Sequence, residues 1–334
     1  MKLIIQIPCL NEEETLPVTI KDIPRKIDGI SKVELLIIDD GSSDKTIEIA
    51  KKLGVEHIVR FPKNRGLAEA FKAGLDASLK LGADIIVNTD ADNQYKGSDI
   101  PKLIKPILDK KFEMVVGDRK TDTIAHFSTI KKIFQKFGSK VVRILSLTDV
   151  PDTTSGFRAY SREAALKINV VSEFTYTLET IIQAGHKKIA VGHVEIGTNG
   201  QLRESRLFKS MYGYMKRSAL TIIRMYTMYR PMKVFVTSGV ILVLLGAGIG
   251  VRFLIYYLLG DGSGHIQSLI LAAVMMIIGF QLGMLGVIAD LISNNRKLVE
   301  ETLYRVRKIE LQQVIQVEEK ISRKPTQKNT KQIS

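Results

Sequence analysis

Ile85-Ile86-Val87-Asn88-Thr89-Asp90-Ala91-Asp92-Asn93-Gln94 is the stretch that decides the fold. A short apolar, partly β-branched run reads as a strand buried on both faces, and the carboxylates just beyond it mark the strand's carboxyl end. The same figure occurs twice upstream. Residues 3–8 run into Pro8-Cys9-Leu10-Asn11-Glu12-Glu13, and residues 34–39 run into Asp39-Asp40-Gly41-Ser42-Ser43-Asp44. Further strand-like runs cover 57–61 and 113–116, with helical stretches such as 44–53 and 67–81 between the strands. This alternation predicts an α/β domain with a mostly parallel sheet and helices on both faces. Ligands of such sheets bind outside the carboxyl ends of the strands, where the three acidic clusters fall. The start of the chain reads as the first strand and not as a secretion signal, because 3–10 meets Asn11-Glu12-Glu13-Glu14 with no small-residue cleavage site.

Three acidic clusters at one sheet edge repel one another unless a cation or hydrogen-bond donors fill the space between them. Asp90 and Asp92, two apart at a strand end, can reach one hard divalent ion, Mg2+ or Mn2+, with phosphate oxygens completing its shell. An isolated acidic pair ends many strands; three clusters in register are the stronger signal. Asp44 reads as a helix-start residue.

The 334 residues carry a net charge of +14, unevenly. Residues 1–200 hold 30 Lys and Arg against 27 Asp and Glu, whereas 201–334 hold 19 against 8. The basic part is also the most apolar. Segments 234–259 and 266–292 each exceed the roughly 20 residues that span a bilayer core. Arg252 and Asp290, the only charges within them, lie towards the ends, where they can reach the interface. Lys and Arg flank the pair on the outer sides, and the Gly-rich linker 260–265 has none. The positive-inside rule therefore puts both termini and the α/β domain in the cytoplasm, with a two-helix hairpin in the cell membrane. The charge belongs to membrane flanks, and no aromatic-basic motif of a nucleic-acid binder appears. One cysteine, Cys9, excludes an internal disulfide framework.

The divisions expected are a cytoplasmic α/β domain at 1–205, basic amphipathic interfacial helices at 206–232, membrane helices at 233–259 and 266–292, a cytoplasmic helix at 293–322 and a disordered tail at 323–334. The stripe Val299, Leu303, Val306, Val314, Val317 and Ile321, interrupted by Glu310, has the spacing of a contact between subunits of a homo-oligomer.

The N-terminal 200 residues resemble the family 2 glycosyltransferases of the GT-A fold, and more narrowly the dolichyl-phosphate mannose synthases and related polyprenyl-phosphate glycosyltransferases. The matching pieces are PCLNEE from Pro8, DDGSSD from Asp39, KNRG from Lys63, DADNQ from Asp90, GDR from Gly117 and SGFR from Ser155, in the family's order and spacing. The hairpin resembles the anchors of membrane members of the group.

The resemblance implies roles. Pro8, Asn11, Glu12, Asp39, Asp40, Lys63 and Ala91 would surround the nucleotide sugar together with Asp90 and Asp92, although Lys63 and its neighbours as readily shape a loop. Asp90, Asp92 and Gln94 match a DxDxQ metal pattern for Mg2+ or Mn2+. Arg119 would meet a phosphate of donor or acceptor, and Asp152, Ser155 and Arg158 would line the acceptor side. Asp92, Arg119 and Arg158 would carry the catalytic duties. Arg203, Ser205 and Arg206 resemble the late basic motif that clamps phosphates, with Arg203 where the family has Gly. Glu179 fits either the acceptor side or an ordinary helix face. The expected reaction is inverting transfer of a hexose or N-acetylhexosamine, from a UDP-sugar or alternatively GDP-mannose, to dolichyl or undecaprenyl phosphate. A processive polysaccharide synthase would carry a Gln-x-x-Arg-Trp motif, and the chain has no Trp. A membrane-tethered transferase with a non-lipid acceptor, or a non-catalytic nucleotide-sugar-binding scaffold, are the alternatives.

Overall fold

The computed structural model describes residues 1–120, 141–143, 145–172, 175–200, 211–260 and 263–322. The chain divides into two compact units, Met1–Ile222 with Leu303–Ser334, and Ile223–Thr302.

The first unit is built on a seven-stranded sheet. Its strands are β1 (Lys2–Cys9), β2 (Lys32–Asp39), β3 (His57–Arg60), β4 (Ile85–Asn88), β5 (Met114–Asp118), β6 (Arg158–Ser161) and β7 (Val191–Glu195). Their spatial order is β3-β2-β1-β4-β6-β5-β7. All five strands expected from the sequence form. Pairing is parallel except at β6, which lies antiparallel between β4 and β5. That insertion sets Arg158 opposite Asn88, so the segment before β6 arrives beside the carboxyl end of β4.

The helices of this unit are α1 (Leu16–Asp22), α2 (Thr46–Lys52), α3 (Leu67–Lys80), α4 (Ile100–Leu108), α5 (Arg162–Lys167) and α6 (Tyr176–His186). Leu3, Ile5 and Ile7 of β1 with Leu35 and Ile37 of β2 bury their side chains against Leu16, Leu103 and Ile104 of the helices. At the amino ends of the strands, buried Glu34 meets Lys2 at 2.7 Å, Lys32 at 2.5 Å and His57 at 2.8 Å. Burial alone would raise its pKa. The hydrogen bonds from Lys2, Lys32 and His57 and the Lys2 charge outweigh burial and bring it down to about 2.

Three helices follow: α7 (Met211–Tyr229), α8 (Pro231–Leu258) and α9 (Ile266–Ser322). Proline at the first position of α8 separates it from α7. The helix that begins at Ile266 continues past residue 292. Nothing between 286 and 322 is Gly or Pro, and α9 runs on as one helix of 57 residues. Two stretches, Pro231–Leu258 and Ile266–Gln313, are long and apolar enough to cross a membrane. Core helices would hide their side chains, whereas Leu244 is 66% exposed and Phe280 68%. Within the second unit α8 and α9 touch through small residues. A Cβ on Gly239 would lie 2.5 Å from the Gly279 carbonyl oxygen, and one on Gly246 would lie 2.9 Å from that of Ala272. This is the close backbone approach by which membrane helices associate.

The last part of α9 belongs to the first unit. Tyr304 donates to Glu163 at 2.8 Å, Arg307 donates to the Leu166 and Ile168 carbonyls at the end of α5, and Glu310 pairs with Lys80 of α3 at 3.3 Å. Leu311 is buried, whereas Val299 and Val306 of the apolar stripe are exposed. The tail 323–334 lies outside the described residues.

Candidate active site

The carboxyl ends of β1, β2 and β4 lie side by side, since β1 pairs with both of the others. The loop after β1 is tied to the loop after β2. Asn11, at φ 55, donates its backbone N–H to Ser42 Oγ and accepts from the Ser43 N–H at 2.8 Å. Glu12 donates its N–H to Thr46 Oγ1, while its carboxylate accepts from the Thr15 hydroxyl at 2.6 Å. Asp44 accepts from the Thr46 N–H at the start of α2 and from the Glu13 N–H, consistent with a helix-start residue.

Asp39 is fully buried, and its Oδ1 accepts from the Ser42 N–H. Its Oδ2 is buried with no hydrogen bond among the described residues, the Arg60 Nε standing 3.3 Å away. Asp40, expected at the nucleoside, has another task. Its two oxygens accept from the Arg65 and Gly66 N–H groups at 2.6 and 2.9 Å, fastening the loop at 63–66 over the site. Burial raises its pKa, more than those two hydrogen bonds lower it. Lys63 is exposed on that loop, Pro8 is a buried residue of β1, and buried Ala91 accepts at its carbonyl from the Thr19 hydroxyl.

Asp90, Asp92 and Gln94 are half-buried at the end of β4. Asp92 Oδ1 accepts from the Gln94 N–H at 3.1 Å, a local turn that draws the two residues together. The neighbouring Asn93 Oδ1 and Ser155 Oγ are buried and make no hydrogen bond among the described residues. The donors here are all oxygens, as a hard cation requires. No group of three or more His, Cys, Asp and Glu is placed to hold a metal ion among the described residues.

Arg119 and Asp152 form a bidentate pair at 2.7 and 3.1 Å, and Arg119 also donates to Thr154 Oγ1. Burial disfavours the Asp152 carboxylate, but the Arg119 charge and the hydrogen bonds from Arg119 and Thr154 hold its pKa below the usual range. The Arg119 pKa is raised: burial opposes this, and the phenol group of Tyr95 and the carboxylate of Asp152 outweigh it.

Arg158 departs most from expectation. It is fully buried, and its guanidinium donates to the carbonyls of Thr153, Ser155 and Thr177 and to the Thr180 hydroxyl, at 2.6 to 2.8 Å. It holds the segment before β6 onto α6, each of its three guanidinium nitrogens donating to the protein. Glu179 is likewise buried in structural work, accepting from the Val171 and Ser172 N–H groups. Arg203, Ser205 and Arg206 lie outside the described residues.

Sequence reasoning missed a buried polar frame behind Asp90. Gln6 of β1 donates to Asn88 of β4 at 2.9 Å. Asn88 in turn donates to the Gly156 carbonyl and to the Tyr176 hydroxyl, both at 2.9 Å. The Gly156 N–H donates to the Tyr95 hydroxyl at 2.8 Å. Burial, opposed by Arg119, pushes the Tyr95 hydroxyl up to about 12. The signal was one amide inside each of two apolar strand runs, at positions that face in the β1–β4 register.

Comparison with known proteins follows the same outline. The model of the family described as glycosyl transferase family 2 matches residues 4–168. The chain is 31% identical to the UDP-N-acetylglucosamine–dolichyl-phosphate N-acetylglucosaminyltransferase of Methanococcus voltae, over 58% of this chain and 83% of that one. It is 28% identical to the undecaprenyl-phosphate mannosyltransferase of Micrococcus luteus, over 51% of this chain and 70% of the other. Among solved structures, glucosyl-3-phosphoglycerate synthase from Mycobacterium tuberculosis, held with Mn2+, UDP and glucosyl-3-phosphoglycerate, superposes with a TM-score of 0.54. That match has 22% identity and covers 67% of this chain and 79% of the other, a likeness of fold.

Proposed function

The chain belongs to glycosyl transferase family 2, and on that premise we propose that it is a membrane-anchored enzyme that moves one sugar from a nucleotide sugar to the phosphate of a polyprenyl lipid. The observation that carries the reading is one chain holding both an oxygen-lined edge at the ends of β1, β2 and β4 and two helices apolar enough to span a bilayer. Relatives named for dolichyl and undecaprenyl phosphate support the lipid acceptor.

In this reading the nucleoside lies over the loops after β1 and β2, where the buried Asp39 Oδ2 suits a base N–H. Asp90, Asp92 and Gln94 would hold Mg2+ or Mn2+, which when bound offsets the charge of the leaving diphosphate. Arg119, kept cationic and held in place by Asp152, faces the acceptor phosphate. A lipid monophosphate needs no general base: its second pKa is near 6, so its attacking oxygen is already anionic at neutral pH. The protein's work is therefore positioning and charge stabilisation. The exposed Leu220 and Ile223 beside exposed Lys216, Arg217 and Arg224 give α7 the surface of a helix resting on anionic headgroups. The catalytic unit and both termini would then be cytoplasmic, with the 260–265 linker outside. A UDP-hexose or UDP-N-acetylhexosamine is the favoured donor and GDP-mannose the alternative.

The test is to incubate the purified full chain with a panel of nucleotide sugars, a divalent cation and polyprenyl phosphate, then weigh the lipid. The expected product is the lipid phosphate plus one sugar residue from one donor of the panel. An unchanged lipid with every donor, under conditions where a nucleotide sugar binds, would favour a scaffold.

A further inference from the structure

We infer that Gly156, Asn88 and Tyr176 form a positioning frame that sets the Asp90 carboxylate for its cation, a deepening of the cation reading above. The frame is fully inside the first unit. Asn88 is the last residue of β4, two before Asp90, and it is completely buried. Its amide nitrogen bridges the Gly156 carbonyl and the Tyr176 hydroxyl, and its amide oxygen is taken by Gln6. The amide therefore has a fixed orientation, and β4 is tied to the segment before β6 at a fixed distance. Tyr95 fixes the other side of Gly156 through its N–H. The Tyr176 ring stacks on Phe71 at 3.9 Å and 3°, which keeps its hydroxyl in place.

Asp90 packs against this frame. A Cβ built on Gly156 would lie 3.2 Å from each carboxylate oxygen of Asp90 and 2.9 Å from the Tyr176 hydroxyl. Gly156 has no positive φ, so alanine suits its backbone, and the demand for glycine is one of space alone. A methyl group there must displace either the carboxylate or the tyrosine. Groups behind a metal ligand orient it, and their loss typically weakens metal binding about 10- to 100-fold. Asn88, Tyr176 and Gly156 touch no reacting atom in this account and act through Asp90.

The experiment titrates Mn2+ into the full-length protein in detergent and counts free ion by electron paramagnetic resonance. It compares wild type with Gly156→Ala, Tyr176→Phe and Asp90→Asn, and follows the melting temperature of each. Tyr176→Phe keeps the stack on Phe71 and loses only the hydroxyl. We expect Gly156→Ala and Tyr176→Phe to weaken Mn2+ binding about tenfold, Tyr176→Phe with a melting temperature near wild type, and Asp90→Asn to lose binding. Wild-type Mn2+ affinity in both Gly156→Ala and Tyr176→Phe, with Asp90→Asn still defective, would overturn the frame and leave the cation reading standing. Failure of the wild type itself to bind Mn2+ would overturn that reading and the frame with it.

Discussion

Arg158 and Arg119 look alike in sequence, each closing a short motif with one basic residue, and the fold gives them different partners, carbonyls for Arg158 and the Asp152 carboxylate for Arg119. Arg158 spends its guanidinium on three carbonyls and a hydroxyl inside the protein, with every nitrogen engaged. Arg158→Met would strand those carbonyls and cost about 3 kcal/mol of stability, read as a lower denaturation midpoint, while the acceptor KM of the protein that remains folded stays near wild type. Arg119→Gln should instead raise the acceptor KM. It also uncovers the buried Asp152 charge, so Arg119→Gln with Asp152→Asn recovers stability without recovering affinity, as a melting curve beside a KM measurement would show. Asp90 and Asp92 were legible as a pair just beyond a strand, because the apolar run before them marks its end. Asp40, Glu179 and Arg158 were not, because a charged residue satisfied by backbone groups looks the same in sequence as one that waits for a ligand.

At the scale of elements, β1 to β5 were readable from their apolar runs. The antiparallel β6 was not, since four residues, Arg158–Ser161, show no period and their direction depends on the partners they reach. Glu34 clamps the amino ends of β1, β2 and β3 through Lys2, Lys32 and His57. Its folded pKa of about 2 lies below its ordinary 4.5. Its stabilisation is thus complete above about pH 4.5 and is lost as the pH falls towards 2. Glu34→Gln should melt below wild type at neutral pH, and the gap should close through that acid window. The hairpin makes a separate prediction. Gly279→Leu must push α8 from α9 at the Gly239 carbonyl, so a disulfide engineered across the two helices should form less readily than in the parent.

For the whole molecule, the two apolar segments read in the sequence fall within two long helices, Pro231–Leu258 and Ile266–Ser322. The end of α9 contacts the catalytic unit instead of stopping at the edge of an apolar segment, and Glu310, which breaks the stripe, is the residue that pairs with Lys80. Arg307→Ala removes the donor at the end of α5 and should lower the stability of the catalytic unit by about 1 kcal/mol, measurable by hydrogen exchange at 166–168. The net charge of +14 is carried mostly by residues 201–334, while residues 1–200 are nearly balanced.

The most direct test of lipid-phosphate transfer is stoichiometric. The full chain, reconstituted in liposomes with polyprenyl phosphate, the accepted nucleotide sugar and Mg2+ or Mn2+, is followed for nucleoside diphosphate release and lipid product together. One lipid-linked sugar per diphosphate released, and no lipid bearing more than one, is the predicted result. Diphosphate release with the sugar found only in water-soluble material, or on lipids carrying a ladder of sugars, would contradict it.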